Sequence, residues 1–346
     1  MVLALAKEIE MRKNELRNEQ IETIYFGGGT PSILDIADIV LLIDTVYENY
    51  NVIAHPEITL EANPDDLSDE KLMQLARSPI NRLSIGIQSF FEDHLKMMNR
   101  AHNATEALNC LKMATNYFDN ISIDLIYGIP GMTNQQWTKN ITTALSFGIC
   151  HISSYALTVE PKTVLHKLIK GGKMLAPADD VASNHFDILV ALLEENDFIH
   201  YELSNFGKKN YFSKNNSNYW LGKKYVGIGP SAHSFDGLSR SWNCANNTIY
   251  IKSIQNDALP NQTEVLSTAD KYNEYVMTGL RTIWGVSTQK ISADFGERYY
   301  HYLIENAQKS IASGLLIIEN NVLKTTKKGK FLCDGLASDL FMINAD

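Results

Sequence analysis

The sequence predicts an α/β protein built on a parallel sheet, followed by a small helical C-terminal domain of winged-helix type. Three observations predict it. Over residues 1–200, short strand-like segments alternate with helical ones, and each crossover helix returns the chain to the same end of the sheet. The strand-like segments run out into glycine or polar residues, where open α/β sheets and α/β barrels alike keep their functional groups. Beyond residue 260 helical spacing returns, and the chain closes with "LLIIENNVLKTT", a hairpin pattern with Asn320-Asn321 at its turn. The predicted parts are a (β/α) part over 1–200, a loop-rich extension and linker over 201–260, and the C-terminal domain over 261–346.

Each element has its own reason. Val2, Leu5, Ala6, Ile9 and Leu16 fall at helical spacing, so the chain opens with a helix from Val2 to about Arg17. Five segments have strand character: "ETIYF", "PEITLEA", "RLSIGIQSF", "NISIDLIYG" and "CHISSYALTVE". The intervening "DIADIVLLIDTVYENY", "ATEALNCLKMATNYF" and "NQQWTKNITTALSFG" carry helical periodicity, and a further helix runs from about Asp179 to Asn196. A loop-rich, aromatic region follows with "YELSNF", "NNSNYW" and "GIGPSAHSFDG", then a polar linker, "NDALPNQTEVLS".

Composition narrows the function. With 346 residues, 45% hydrophobic, the chain buries a full core. Lys7, Glu8 and Glu10 interrupt the apolar opening "MVLALA" too soon for a signal-peptide core or a membrane span, so a cytoplasmic protein is expected. A formal charge of -9 argues against broad attraction to nucleic acid, which needs a positive footprint. Cys110, Cys150, Cys244 and Cys333 stand far apart with no CxxC pair; they read as isolated buried hydrophobes, and no metal motif is visible.

The chemistry gathers where the strands end. In "FGGGTPS", Gly27, Gly28 and Gly29 expose backbone N–H and C=O groups and permit unusual φ values. Thr30 adds a hydroxyl, and Pro31 fixes the exit. Such an edge suits a phosphate or the amino and carboxylate groups of a bound amino acid; it equally serves a tight turn. Glu61 in "LEANPDD", Gln88 in "SIGIQSF", Arg100 in "MNRAH" and Asp124 in "DLIYGIPG" add acceptors for hydroxyls and an ammonium, an amide, and a cation for a carboxylate. Singly, Glu61 or Asp124 also fits a helix cap and Arg100 a surface ion pair. Together they describe a zwitterionic nucleoside ligand.

These motifs, with "MNRAHN", "DLIYGIPGMT", "YALTVEP" and "GIGPSAHSFDG", closely resemble the radical S-adenosylmethionine proteins of the HemN/HemW group from about residue 5 to the C-terminus. That group contains the oxygen-independent coproporphyrinogen III oxidase and the HemW-type haem chaperones, and "YELSNF" and "NxxYW" are more similar to the HemW branch. The resemblance implies an incomplete parallel (β/α)6 barrel lacking its first strand, with a helical C-terminal domain. It implies that Gly28, Gly29 and Thr30 hold the methionyl end of S-adenosylmethionine. Glu61, Gln88, Arg100 and Asp124 would take the other cofactor-contacting positions, with Ala156 near the adenine. It further implies a role in haem or porphyrin metabolism, with haem or porphyrin and haem-accepting proteins as partners. Haem delivery is the expected role, and porphyrinogen decarboxylation by the oxidase is the alternative. Whether the chain is itself an enzyme is left open between them.

Two departures qualify the resemblance. Family members carry CxxxCxxC upstream of the GGGTP turn, and its thiolates hold a [4Fe-4S] cluster; this chain has no cysteine before Cys110. As written, it is expected not to run radical chemistry and to leave one sheet edge unpaired. Either the start falls at an internal methionine with the motif upstream, or the protein is a cluster-free descendant. In "SKNNSNYW", Asn215 stands where HemW-like proteins usually have a histidine associated with haem, and asparagine is a poor ligand for haem iron. His102 and His233 are the remaining motif-borne histidines, each read first as a hydrogen-bonded structural residue. A third reading, a nucleic-acid-binding winged helix using Lys324, Lys327, Lys328 and Lys330, competes with a solvated charge run.

Overall fold

A computed structural model describes residues 1–161, 163–172 and 174–343. They form two compact units, one of Met1–Thr23, Ala37–Pro56 and Lys214–Asp346, the other of Ile24–Ile36 and Glu57–Ser213.

The second unit holds most of a seven-stranded sheet, the starts of the first two strands being counted with the first unit. Its strands are β1 (Ile21–Phe26), β2 (Val52–Ala62), β3 (Arg82–Gln88), β4 (Ile121–Tyr127), β5 (His151–Ala156), β6 (Ile199–Glu202) and β7 (Asn205–Gly207), in the order β1-β2-β3-β4-β5-β7-β6. Pairs β2/β3, β3/β4 and β4/β5 are parallel, as the alternation of strands and helices predicts. Because crossover helices cover such a sheet, its central strands are sequestered on both faces. Leu83, Ile85 and Ile87 of β3 are therefore buried, and so are Arg82 and Ser84 on the alternate face. Helices Ala104–Ala114 and Asn134–Ser146 begin on capping boxes, Asn103 with Glu106 and Thr133 with Gln136. Trp137 is fully buried, and its Nε1 donates to His185 O of helix Asp179–Glu195 at 2.8 Å.

The sheet does not end at β5. The "YELSNF" stretch, which reads as loop, supplies β6 and β7, paired antiparallel with each other and with β5. Strands this short carry no periodicity. What holds them is remote in sequence: Ser153 Oγ donates to Asn205 Oδ1 (3.0 Å), and Tyr201 stacks on Phe212 (4.2 Å between centroids).

The first unit opens with helix Val2–Met11, shorter than its periodicity suggests. The chain leaves the helix at Arg12, whose guanidinium donates to Glu8 and Glu15 and to Gly227 O and Ser234 Oγ. A three-stranded antiparallel sheet follows: β8 (His233–Phe235), β9 (Ser239–Asn243) and β10 (Asn261–Val265). Strand β10 lies in the stretch that reads as linker; all five of its residues are exposed, so it shows no apolar alternation. Gly227 of "GIGPSAH" has a steric reason to be glycine, because a Cβ there would stand 2.1 Å from His233 O.

The C-terminal part has helices Thr268–Leu280, Thr288–Phe295 and Glu297–Ala312. Strands β11 (Val286–Ser287), β12 (Leu316–Glu319) and β13 (Val322–Thr325) form a small sheet in the order β11-β13-β12. Between β12 and β13, Asn320 and Asn321 have φ of 50° and 62°, the left-handed pair a type I′ hairpin turn requires. Among the described residues no helix is long and apolar enough to cross a membrane.

Candidate functional site

A cavity of about 180 Å³ opens where β1 to β4 deliver their functional residues. Gly29, Thr30, Glu61, Gln88, Arg100 and Asp124 all line it. Gly28 and Ala156 are not among the lining residues. Gly28 presents its N–H to Glu61 beside the cavity, and Ala156 ends β5, paired with Tyr127. Asp124 lies within β4 rather than past its end, so the cavity reaches down between the strands.

The three glycines answer to different constraints. Gly28 and Gly29 have φ of +76° and +69°, and a Cβ at either would meet nothing within 4 Å; they are glycine for conformation. Gly27 is glycine for space. A Cβ there would stand 2.5 Å from the Tyr25 ring and 3.0 Å from Glu61 Oε1.

Tyr25, two residues upstream on β1, is a site residue that sequence reasoning missed. Its hydroxyl donates to Glu61 Oε1 (2.6 Å), while Glu61 Oε2 accepts the Gly28 N–H (3.1 Å). The Glu61 carboxylate is thus fixed between the strand and the glycine loop. Ser32 Oγ donates to Asp66 Oδ2 at 2.6 Å, tying the end of "GGGTPS" to "NPDD". Asn63 accepts from Arg100 Nη2 at 2.8 Å, and the Arg100 Nε is buried with no partner in the fold. Gly86 is the one missed residue with a legible signal, since a glycine inside a strand marks close approach of another group. A Cβ on Gly86 would stand 2.9 Å from Gln88 Nε2 and 3.2 Å from Arg100 Nη2.

Burial and the neighbouring Glu61 carboxylate push the Asp124 carboxyl up to about 6, against the opposing pull of a Ser153 hydrogen bond and of Arg82 and Arg100. Desolvation and Glu61 raise the Tyr25 phenol as well, so it stays a neutral donor. The cavity therefore offers two acidic acceptors, one guanidinium, the amides of Gln88 and Asn63 and a glycine-rich backbone edge, a set that complements a zwitterionic nucleoside.

The other residues singled out in the sequence lie elsewhere. His102 is buried with Nε2 3.1 Å from Ile87 O. His233 is exposed on β8, its ring stacked with Trp242 at 6.1 Å between centroids. Asn215, in helix Lys214–Trp220, accepts from Thr23 Oγ1 at 3.1 Å.

A largely parallel sheet carries this glycine edge and polar set, and comparison with known proteins gives the class: the radical S-adenosylmethionine proteins. Residues 3–143 match the family model described as Radical SAM superfamily, and residues 266–332 match the HemN C-terminal domain. The chain is 34% identical to the heme chaperone HemW of Bacillus subtilis, over 90% of this chain and 83% of that protein. It is 29% identical to radical S-adenosyl methionine domain-containing protein 1, mitochondrial, of Danio rerio, over 99% and 80%. In structure it is similar to the coproporphyrinogen III oxidase HemN of Escherichia coli, with a TM-score of 0.82 at 21% identity, covering 98% of this chain and 82% of that one. The chain belongs to the HemW family of radical S-adenosylmethionine proteins.

Membership implies S-adenosylmethionine and a [4Fe-4S] cluster, and the residues present treat the two differently. The cavity fits the first: its glycine edge is open, and a buried guanidinium nitrogen there lacks a partner. No thiol lines the cavity. Cys110 is buried in helix Ala104–Ala114, and desolvation pushes its thiol up to about 12. Among the described residues no group of three His, Cys, Asp or Glu is placed to hold a metal. The cluster is therefore not matched by these residues, and no electron-transfer step is assigned to them.

Proposed function

We propose that the chain binds S-adenosylmethionine in the cavity at the ends of β1 to β4 and serves haem delivery. The observation that carries the first half is the convergence of Gly29, Thr30, Glu61, Gln88, Arg100 and Asp124 on one cavity. Gly28, Gly29 and Thr30 hold the methionyl end. Arg100 receives the carboxylate, while Glu61 and Asp124 accept from the ammonium and the ribose hydroxyls, and Ala156 stands toward the adenine. The name heme chaperone carried by relatives over most of the chain supports the second half. Decarboxylation of coproporphyrinogen III is the less favoured reading, because the likeness to HemN at 21% identity speaks for fold alone.

Calorimetric titration of the protein with S-adenosylmethionine tests the pocket, and titration with haemin followed by Soret absorbance tests haem binding. Saturable binding of both is expected. Absence of S-adenosylmethionine binding sinks the pocket assignment, absence of haem binding sinks the delivery role, and turnover of coproporphyrinogen III would replace it with the oxidase.

The pocket also predicts a pH dependence. With its carboxyl pushed up to about 6, Asp124 gains its charge as pH rises from 5 to 7, and the charged form is the better hydrogen-bond acceptor. Affinity for S-adenosylmethionine should strengthen over that window and level off above it, and Asp124→Asn should flatten the rise. A rise of the same size in the asparagine variant would assign the titration to another group.

A further inference from the structure

Strand β3 ends in a conformation that its sequence does not favour. Gln88 has a φ of 64°, a left-handed backbone that a residue with a side chain rarely adopts. The Ser89 N–H donates to Ile87 O at 2.8 Å, closing a three-residue γ-turn around Gln88, the strained form of that turn. The register against β4 shifts between Ile85 and Gln88. Such strain persists only where the surroundings over-determine it.

The surroundings are four buried polar side chains, Ser89, His94, His102 and Asn140. His102 Nε2 donates to Ile87 O on one side of the turn (3.1 Å). On the other side, Asn140 Oδ1 accepts from the Phe90 N–H (2.7 Å) and from Ser89 Oγ (3.3 Å). Ser89 Oγ lies 3.1 Å from His94 Nδ1 and accepts from the Phe91 N–H at 3.2 Å. Burial lowers the proton affinity of both histidines, so each stays neutral and keeps one donor and one acceptor nitrogen. None of His94, His102 and Asn140 lines the cavity, whereas Gln88 does.

We infer that Asn140, His94 and His102 are positioning residues, a clamp that holds the strained corner at Ile87–Phe90 so that the Gln88 amide faces the bound ligand beside Arg100. The inference rests on the proposal that the cavity takes S-adenosylmethionine. It explains why a fully buried asparagine is retained in helix Asn134–Ser146: its oxygen replaces the ladder partner that the bent strand end gives up.

Asn140→Ala, Gln88→Gly and the double variant test it, with the dissociation constant for S-adenosylmethionine and Tm as readouts. Asn140→Ala is expected to weaken binding about tenfold and to lower Tm. Gln88→Gly is expected to weaken binding to a similar extent yet raise Tm, because glycine takes the left-handed φ without strain. In the double variant the loss of Asn140 should weaken binding by no more than about twofold beyond Gln88→Gly alone, the coupling a shared route produces. Multiplying losses in the double variant, unchanged affinity in Asn140→Ala, or a lowered Tm in Gln88→Gly would each overturn the clamp. If Asn140→Ala does not fold, Ser89→Ala, which removes only the hydroxyl between Asn140 and His94, takes its place in the cycle. If the unmodified protein does not bind S-adenosylmethionine, the pocket assignment fails, and the clamp is then judged on Tm alone. In that case the Tm loss from Asn140→Ala must shrink in the Gln88→Gly background, and an equal loss would refute it.

Discussion

Replacing Glu8 with alanine should remove about 3–5 kcal/mol of stability, a large share of the total for a folded protein. Glu8 sits on helix Val2–Met11 with its side chain fully buried, beside the equally buried Arg12 at 3.3 Å. Its Oε1 also accepts from Asn243 Nδ2 (2.7 Å), and its Oε2 accepts from the Gly229 N–H (2.8 Å) and the Tyr250 hydroxyl (2.5 Å). Truncation leaves the Gly229 N–H and the Tyr250 hydroxyl unpaired inside the unit, leaves Asn243 Nδ2 only its bond to Gly229 O (2.9 Å), and strips the Arg12 cation of one carboxylate, with Glu15 at 2.7 Å remaining. Unsatisfied buried donors are expensive individually, and here two lose their acceptor together. Glu8→Gln keeps an acceptor and should lose about half as much. Urea unfolding at neutral pH measures both, and a Glu8→Ala loss below about 1 kcal/mol would mean that the carboxylate is solvated.

Arg100→Ala should weaken S-adenosylmethionine binding about 100-fold, or about 3 kcal/mol, the scale on which removing one partner of a buried charge pair acts. In the free protein Arg100 Nη2 donates to Asn63 Oδ1 (2.8 Å) and, more weakly, to Gly86 O (3.5 Å). Neither partner is an anion. The cation is thus held at the cavity wall by neutral acceptors, available for a carboxylate. Arg100→Lys should recover only part of the loss, because a point charge cannot reproduce the planar fork. Calorimetric titration of the two variants against the unmodified protein provides the comparison. Equal affinities in all three would remove Arg100 from the site.

Much of the architecture is legible in the sequence. The alternation of "ETIYF", "PEITLEA", "RLSIGIQSF", "NISIDLIYG" and "CHISSYALTVE" with amphipathic helices corresponds to β1 to β5 and their crossovers, the last three segments overrunning the strands they contain, and the Asn320-Asn321 turn stands where the doublet indicated. Several of the residues that line the cavity were legible as well. Gly29 and Thr30 follow β1, and Glu61 and Gln88 stand at the ends of β2 and β3, and in a parallel sheet those ends lie side by side; Asp124, within β4, departs from that rule. Both readings use local information, since periodicity reports which face of an element is buried and a strand end reports where the chain turns.

The rest was decided by partners that no window of sequence contains. Nothing local marks Glu8 and Arg12 for burial; Glu8 is buried because Asn243, Gly229 and Tyr250, more than two hundred residues away, supply the complementary groups, and Arg12 because Gly227 and Ser234 do the same. Strand β10 carries no apolar face and exists only because β9 pairs with it. Gln88 reads as the end of a strand, and its left-handed turn is flanked by Asn140, His94 and His102, brought in by other elements. The sequence by itself determined the strands β1 to β5, the family motifs and the address of the candidate site. Tertiary structure decided which polar side chains are buried and how the site's backbone is bent, because burying a polar group or straining a turn is favourable only after distant hydrogen-bond partners have been brought into contact.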